Sequence, residues 1–136
     1  MSSQEPTFSE VVKNRYSARA FLPTPIPREI LKDILLEAQC APSNCNTQPW
    51  SLHIVAGDKL RELSHALTED LRAGNYSLDF TFDKEAYPEP FRQRASEQGR
   101  SYYQALGVAR GDNLSRSEVV ERNVRFFGAP HVALLF

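Results

Sequence analysis

The stretch Ala41-Pro42-Ser43-Asn44-Cys45-Asn46-Thr47-Gln48-Pro49-Trp50 lies between an amphipathic helical pattern and a strand-like run. It combines two prolines, two asparagines, a glutamine, a serine and the only tryptophan of the chain. Side-chain amides offer paired donors and acceptors, which suits contact with the edge of a planar heterocycle, and the prolines restrict the backbone. We therefore predict that this segment, called the amide loop (residues 41–50), is a binding loop presented by rigid neighbouring elements.

The elements on either side of the amide loop predict an α+β fold. Prolines at 23, 25 and 27 force an extended path, after which a helix is expected over 28–39. The apolar residues of this helix form a stripe that is expected to be buried: Ile30, Leu31, Ile34, Leu35 and Ala38. Strands are expected at 51–56 and 131–136. They would lie in one mixed or antiparallel central sheet flanked by helices.

Further helices are expected from their periodicity and capping signals. They span 8–14, 59–73 with Asp58 as the cap, 91–106, and 118–127 opened by a capping box at Ser115 and Glu118. Residues 79–90 are rich in aromatics, acids and prolines without a steady period, so this segment is predicted to be irregular.

Composition excludes several classes of protein. A chain of 136 residues and 15.4 kDa with 41% apolar and 24% charged residues is typical of one soluble globular domain. A net charge of −1 provides no general attraction for nucleic acid or anionic membranes. The polar start lacks the features of a signal peptide, and no apolar run is long enough to span a bilayer.

The cysteines and histidines predict no metal centre. Cys40 and Cys45 form no CxxC motif, and no His, Cys or Asp residues have metal-ligand spacing. Cys40 is expected in the core and Cys45 partly exposed, in a reduced, cytoplasmic protein. The arginines and tyrosines between 92 and 110 are interrupted by acidic residues, which favours a solvated helix over an RNA-binding stripe.

A second segment, residues 15–19, carries cations in an alternating pattern. If it is extended, Arg15, Ser17 and Arg19 share one face, and two guanidinium groups with a hydroxyl make a good phosphate clamp. The same arginines are equally compatible with plain solvation, or with ion pairs to Glu10 and Glu37. We call residues 15–19 the cation-bearing segment.

Taken together, Arg15-Tyr16-Ser17-Ala18-Arg19-Ala20-Phe21, the amide loop and the strand after Trp50 resemble the nitroreductase family of flavoenzymes in order and separation. Ala73-Gly74-Asn75-Tyr76 looks like a further flavin-contacting segment of that family. The resemblance extends over nearly the whole chain but covers the front portion of a family domain. We therefore expect residues 1–136 to form a single, incomplete domain with a helical insertion at about 79–125.

The resemblance implies a homodimer with FMN at the subunit interface. NAD(P)H would reduce the flavin, and a nitroaromatic, quinone or similar acceptor would take the electrons in a ping-pong cycle. Position by position, the FMN phosphate and ribityl contacts would come from Arg15, Tyr16, Ser17 and Arg19. Asn75 would approach the ring, while the partner subunit would contribute Pro42, Ser43, Asn44 and Asn46, with Gln48 supporting that loop.

No catalytic residue is expected, because the cofactor carries the redox chemistry. A flavin-proximal position that often holds a lysine in the family falls at Leu78. Two alternatives stay open: a non-catalytic, truncated interaction fragment, or the same fold with another flavin reaction such as ene reduction or dehalogenation.

Overall fold

Helices and a pair of strands make up the fold in the computed structural model, which describes residues 5–75, 83 and 85–136. The helices are α1 (Phe8–Asn14), α2 (Arg28–Ala38), α3 (Gly57–Ala73), α4 (Phe91–Ala105) and α5 (Asn113–Val124). The strands are β1 (Leu52–Ala56) and β2 (His131–Leu135), and short 3₁₀ turns span Asn44–Asn46 and Phe126–Gly128. Each of these helices and strands overlaps one predicted from the sequence.

The two strands pair antiparallel, from Leu52 opposite Leu135 to Ala56 opposite His131. Ser51 and Phe136 extend the ladder, since each backbone N–H donates to the other's carbonyl at 2.9 Å. The alternating residues at 51–56 and the apolar residues at 131–136 thus form one small sheet. This pairing confirms the expected α+β class with an antiparallel sheet.

The buried part of the described chain lies where α3 packs against α5 and both strands. Leu60 and Val119 are 8% exposed and Thr68 is 5% exposed. The hydroxyl of Thr68 donates to the Ser64 carbonyl at 2.7 Å, so this buried polar group is satisfied.

An ion-pair network joins α3 and α5 near their C-terminal ends. Arg72 donates to both carboxylate oxygens of Glu121, from Nε at 2.7 Å and from Nη2 at 3.1 Å, and Arg125 donates to the same carboxylate at 2.6 Å. Hydrogen bonding from Arg72 holds the pKa of Glu121 below its ordinary value. This network fixes α5 against α3 and so orders the chain that leads into β2.

The apolar stripe of α2 is exposed on one side and half-buried on the other, so the prediction that the whole stripe is buried is wrong. Ile30 is 51% exposed and Ile34 is 50% exposed. Cys40, predicted to be in the core, is also exposed, as is Cys45. A stripe is buried only where another element covers it, and within the described residues α2 is covered only on the side of Leu31 and Leu35, which are half-buried.

Two predicted helix starts are also wrong. Helix α3 begins at Gly57 after Ala56, and Asp58 pairs with Arg61 in the first turn instead of capping the helix. Helix α5 begins at Asn113, because Asp112 is the N-cap and accepts from the Ser115 N–H at 3.0 Å. Ser115 therefore serves as a donor to the cap, and the predicted box at Ser115 and Glu118 does not form. Aspartate is among the preferred N-cap residues.

Some predictions fall on residues that the structure does not describe. Leu78, Tyr76 and, within the irregular segment, residues 79–82 and 84 lie outside the described ranges. The single domain and the insertion at about 79–125 stay predictions, although α4 and α5 occupy the chain between 91 and 124.

Candidate functional site

The cation-bearing segment leaves α1 as exposed, extended chain. Arg15 follows the last turn of α1 with φ −62° and ψ 126°, and residues 15–19 are all exposed. Among the described residues neither Arg15 nor Arg19 has a carboxylate partner. Glu10 is instead taken by the α1 capping box, where it accepts from the N–H and the hydroxyl of Thr7 at 2.7 Å. The alternative that these arginines pair with Glu10 or Glu37 is therefore wrong.

Two residues from the distant helices position Arg19. The guanidinium carbon of Arg19 lies 5.2 Å from the centre of the Tyr102 ring on α4. Arg122 on α5 donates to the Arg19 carbonyl at 2.7 Å across 103 residues of sequence. Arg19 itself donates to the Ser17 carbonyl at 3.5 Å. Sequence reasoning missed Tyr102 and Arg122 because no local pattern links residues so far apart.

The amide loop has an unusual backbone. Cys45, Asn46 and Gln48 have φ angles of 52°, 53° and 44°, in the left-handed region that glycine adopts readily and other residues seldom do. Asparagine tolerates this region, whereas cysteine and glutamine have no such preference, and each strained residue costs about 1–3 kcal/mol. Strain of this kind persists only where the surrounding structure holds it, and it is concentrated at binding and active sites.

Hydrogen bonds hold the amide loop in this conformation. The Gln48 N–H donates to the Ser43 hydroxyl at 3.0 Å, and the Gln48 side-chain amide donates to the Gln39 carbonyl at 3.3 Å. The Thr47 hydroxyl donates to the Asn44 carbonyl at 3.0 Å. Gln48 thus ties the loop to the C-terminal end of α2, while Asn46 is exposed and its side chain makes no hydrogen bond within the described residues.

Asn75, the remaining candidate, follows the left-handed Gly74 that ends α3. Its backbone N–H donates to the Asp70 carbonyl at 2.9 Å. The side chain of Asn75 is exposed. Within the described ranges, no hydrogen bond or ion pair joins the cation-bearing segment, the amide loop and Asn75 to one another. One chain therefore presents the predicted site residues as separate exposed groups.

The described ranges contain neither a candidate metal centre nor a candidate membrane-spanning helix. No group of three His, Cys, Asp or Glu residues is arranged to hold a metal ion there. Nor, over the same ranges, does any helix have the length and apolar character to cross a membrane. His131 accepts a hydrogen bond from the Ile26 N–H at its Nε2 atom, at 3.0 Å.

These features define a small α+β protein that exposes guanidinium groups on the cation-bearing segment and amides on the amide loop. The model of the nitroreductase family matches residues 12–135, and the chain belongs to that family. The resemblance drawn from the two segments is thereby confirmed.

Relatives of known activity align over nearly the whole chain. The nitroreductase NfnB of Mycolicibacterium smegmatis is 34% identical over 126 residues, which are 93% of this chain and 54% of the relative. The 4-nitrobenzoate reductase of Pseudomonas putida is 37% identical over 134 residues, covering 95% of this chain and 56% of the relative.

A solved structure gives the same result for the fold. The FMN-dependent nitroreductase NfnB from Mycobacterium smegmatis, solved in complex with NADPH, superposes with a TM-score of 0.88 at 34% identity. The match covers 94% of this chain and 58% of that structure. The chain thus spans little more than half the length of the relatives that it matches.

Proposed function

We propose that this chain forms part of an FMN-dependent oxidoreductase that uses NAD(P)H to reduce nitroaromatic, quinone or similar acceptors. The observation that carries the proposal is the strained amide loop, braced by Ser43 and Gln48, in a chain of the nitroreductase family. Bound FMN would supply a centre that accepts two electrons from a nicotinamide and passes them to the acceptor. The residues of the chain would bind and orient it.

The donors that the structure exposes fit this cofactor. Arg15 and Arg19 have no carboxylate partner among the described residues, and unpaired guanidinium groups beside the Ser17 hydroxyl are suited to a phosphate. Tyr16, 80% exposed, is available next to them. Pro42, Asn44, Asn46 and Asn75 are exposed near backbone turns, where their polar groups can reach the edge of a planar ring.

The same geometry supports a site shared between two subunits. Within one chain the amide loop and the cation-bearing segment lie apart without a hydrogen bond among the described residues, and the family resemblance implies that a second copy supplies the loop. We propose a homodimer for this reason. A cytoplasmic location also stays a proposal, based on two exposed cysteines that form no disulfide.

Flavin reconstitution tests the proposed function. The 136-residue chain, refolded or purified with excess FMN, is expected to retain flavin absorbance after gel filtration. Arg15→Gln and Asn46→Ala are each expected to raise the Kd for FMN about 10-fold or more, because each variant lacks one hydrogen bond to the cofactor. The bond that Arg15 would make is to the charged phosphate. Arg28→Gln, which makes the same charge change as Arg15→Gln on α2, is the matched control and should leave the Kd unchanged.

Turnover separates the remaining alternatives. A flavin-loaded protein that oxidises NAD(P)H with a nitroaromatic or quinone, with parallel-line double-displacement kinetics, supports the proposal. Flavin binding together with activity only toward halogenated or activated-alkene acceptors would replace it by another reaction on the same fold. A chain that folds and does not retain FMN would sink the proposal and favour the non-catalytic fragment.

A further inference from the structure

A cleft of about 670 Å³ lies between α4, the loop that follows α4, and α5. We call it the arginine cleft, since Arg100, Arg110 and Arg116 line it together with Ser96, Tyr103 and Gln104. Its lining includes no aspartate or glutamate. None of these residues belongs to the proposed flavin site.

The three arginines of the cleft have no anionic partner in the described part of the chain. Other arginines of the same region do: Arg92 pairs with Glu85 and Glu89, and Arg125 pairs with Glu121. The carboxylate of Glu121 borders a neighbouring cleft with Arg116, but it is already held by Arg72 and Arg125. The protein therefore concentrates positive charge in the arginine cleft without neutralising it.

Arg116 is held in place at the wall of the arginine cleft. Its guanidinium carbon lies 4.2 Å from the centre of the Tyr103 ring, so the group is held by a cation–π contact. Its Nε atom is buried and has no hydrogen-bond partner among the described residues. Buried N–H groups are nearly always paired, so this guanidinium has hydrogen-bonding capacity that the described residues do not use.

We propose that the arginine cleft binds a phosphate monoester. Guanidinium forks match the terminal oxygens of a phosphate, and a dianion offers enough of them for several forks. The volume exceeds what a phosphate alone needs and lies in the range of small-molecule sites, so the rest of the ligand would lie beside Tyr103, Ser96 and Gln104. The site serves a second function, independent of the flavin, since it uses different residues.

Nuclear magnetic resonance of the arginine side chains tests this directly. The Nε–Hε signal of Arg116 in the ¹⁵N-labelled 136-residue chain is assigned by its disappearance in Arg116→Lys. Titration with adenosine 2′-monophosphate or inorganic phosphate is expected to shift this signal saturably. Adenosine, and sodium chloride at matched ionic strength, should not shift it. A larger affinity for the nucleotide would place the ester group in the cleft, and equal affinities would show that the phosphate alone is recognised.

Matched variants assign the binding to the cleft. Arg110→Gln, in the loop after α4, is expected to raise the Kd for adenosine 2′-monophosphate about 10-fold or more. Arg28→Gln makes the same charge change on α2 and should not alter it. Arg15→Gln should also leave the Kd for adenosine 2′-monophosphate unchanged, although this variant weakens FMN retention. The proposal for the arginine cleft and the proposal for the flavin site can therefore be refuted independently.

Two results would overturn the proposal. One is a chloride titration that shifts the Arg116 signal as much as phosphate does, which would indicate general ionic screening. The other is an unchanged Kd in a folded Arg110→Gln protein, whose folding is confirmed by its circular dichroism spectrum.

Discussion

At the scale of single residues, the amide loop is held by a few hydrogen bonds that offset its left-handed backbone. The Ser43 hydroxyl accepts from the Gln48 N–H, next to three residues with positive φ. Ser43→Ala is expected to lower the free energy of unfolding by about 1 kcal/mol, because that N–H loses its acceptor. Urea unfolding measures the change, and Ser43→Thr, which keeps the hydroxyl, should behave like the natural chain. Equal losses in both variants would contradict this role.

His131 provides a second test at this scale. Its Nε2 accepts from the Ile26 N–H, and its Nδ1 is buried without a partner among the described residues. His131→Ala is expected to reduce the free energy of unfolding by about 1–3 kcal/mol and to speed hydrogen exchange at the Ile26 amide. His65→Ala, at an exposed histidine on α3, is the control and should leave both quantities as they are.

The sequence was enough to predict the candidate flavin-binding residues. It was not enough to predict the residues elsewhere in the chain that hold them in place. Arg15, Arg19 and the amides are recognisable because their donors are concentrated in short stretches. The contacts of Arg19 with Tyr102 and Arg122, and of Ile26 with His131, join residues far apart in the chain. Such pairs depend on how the helices pack, which local patterns do not encode.

At the scale of elements, α5 is fixed by carboxylates at both ends. Hydrogen bonds from Ser115 lower the pKa of Asp112 at its start, and hydrogen bonding from Arg72 lowers that of Glu121 near its end. A carboxylate with a lowered pKa stabilises the folded state above its unfolded pKa, and this stability is lost as the pH falls through the folded value. The stability of α5 should therefore decline as the pH drops below about 4.

Glu121→Gln tests this pH dependence. At pH 7 the variant is expected to have a lower Tm than the natural chain, because Arg72 and Arg125 lose their charged partner. The difference should shrink as the pH is lowered below about 4, where the natural carboxylate becomes protonated. Thermal unfolding followed by circular dichroism between pH 7 and pH 3 measures it. Glu62→Gln, in an exposed pair with Lys59, is the control and should change the Tm at pH 7 very little.

The order of helices and strands followed from the sequence, as did the starts of α1, α2 and α4, whereas the starts of α3 and α5 did not. The sequence Ser115 to Glu118 matches a capping box, yet Asp112 caps the helix instead, and the helix begins at Asn113. Competition between two caps is decided by the geometry of the preceding turn. A single sequence does not contain that information in readable form.

At the scale of the whole molecule, the described residues bury little apolar surface, and they bury it between α3 and α5. Leu60→Ala is expected to lower the free energy of unfolding by about 2–4 kcal/mol, since Leu60 is 8% exposed. Ile34→Ala should cost less than about 1 kcal/mol, because Ile34 is 50% exposed. Urea unfolding of the two variants makes the comparison. Similar costs would mean that the α2 stripe is covered in solution, for example by a second subunit.

The pairing of β1 with β2 has a consequence for how this chain tolerates changes of length. The paired strands close a loop that contains α3, α4 and α5. The entropy of closing a loop grows only with the logarithm of its length, at about 0.6 kcal/mol for each doubling. Residues added to or removed from the region around α4 would therefore change the free energy of the sheet very little. We therefore expect the strand pairing to tolerate insertions and deletions in this region.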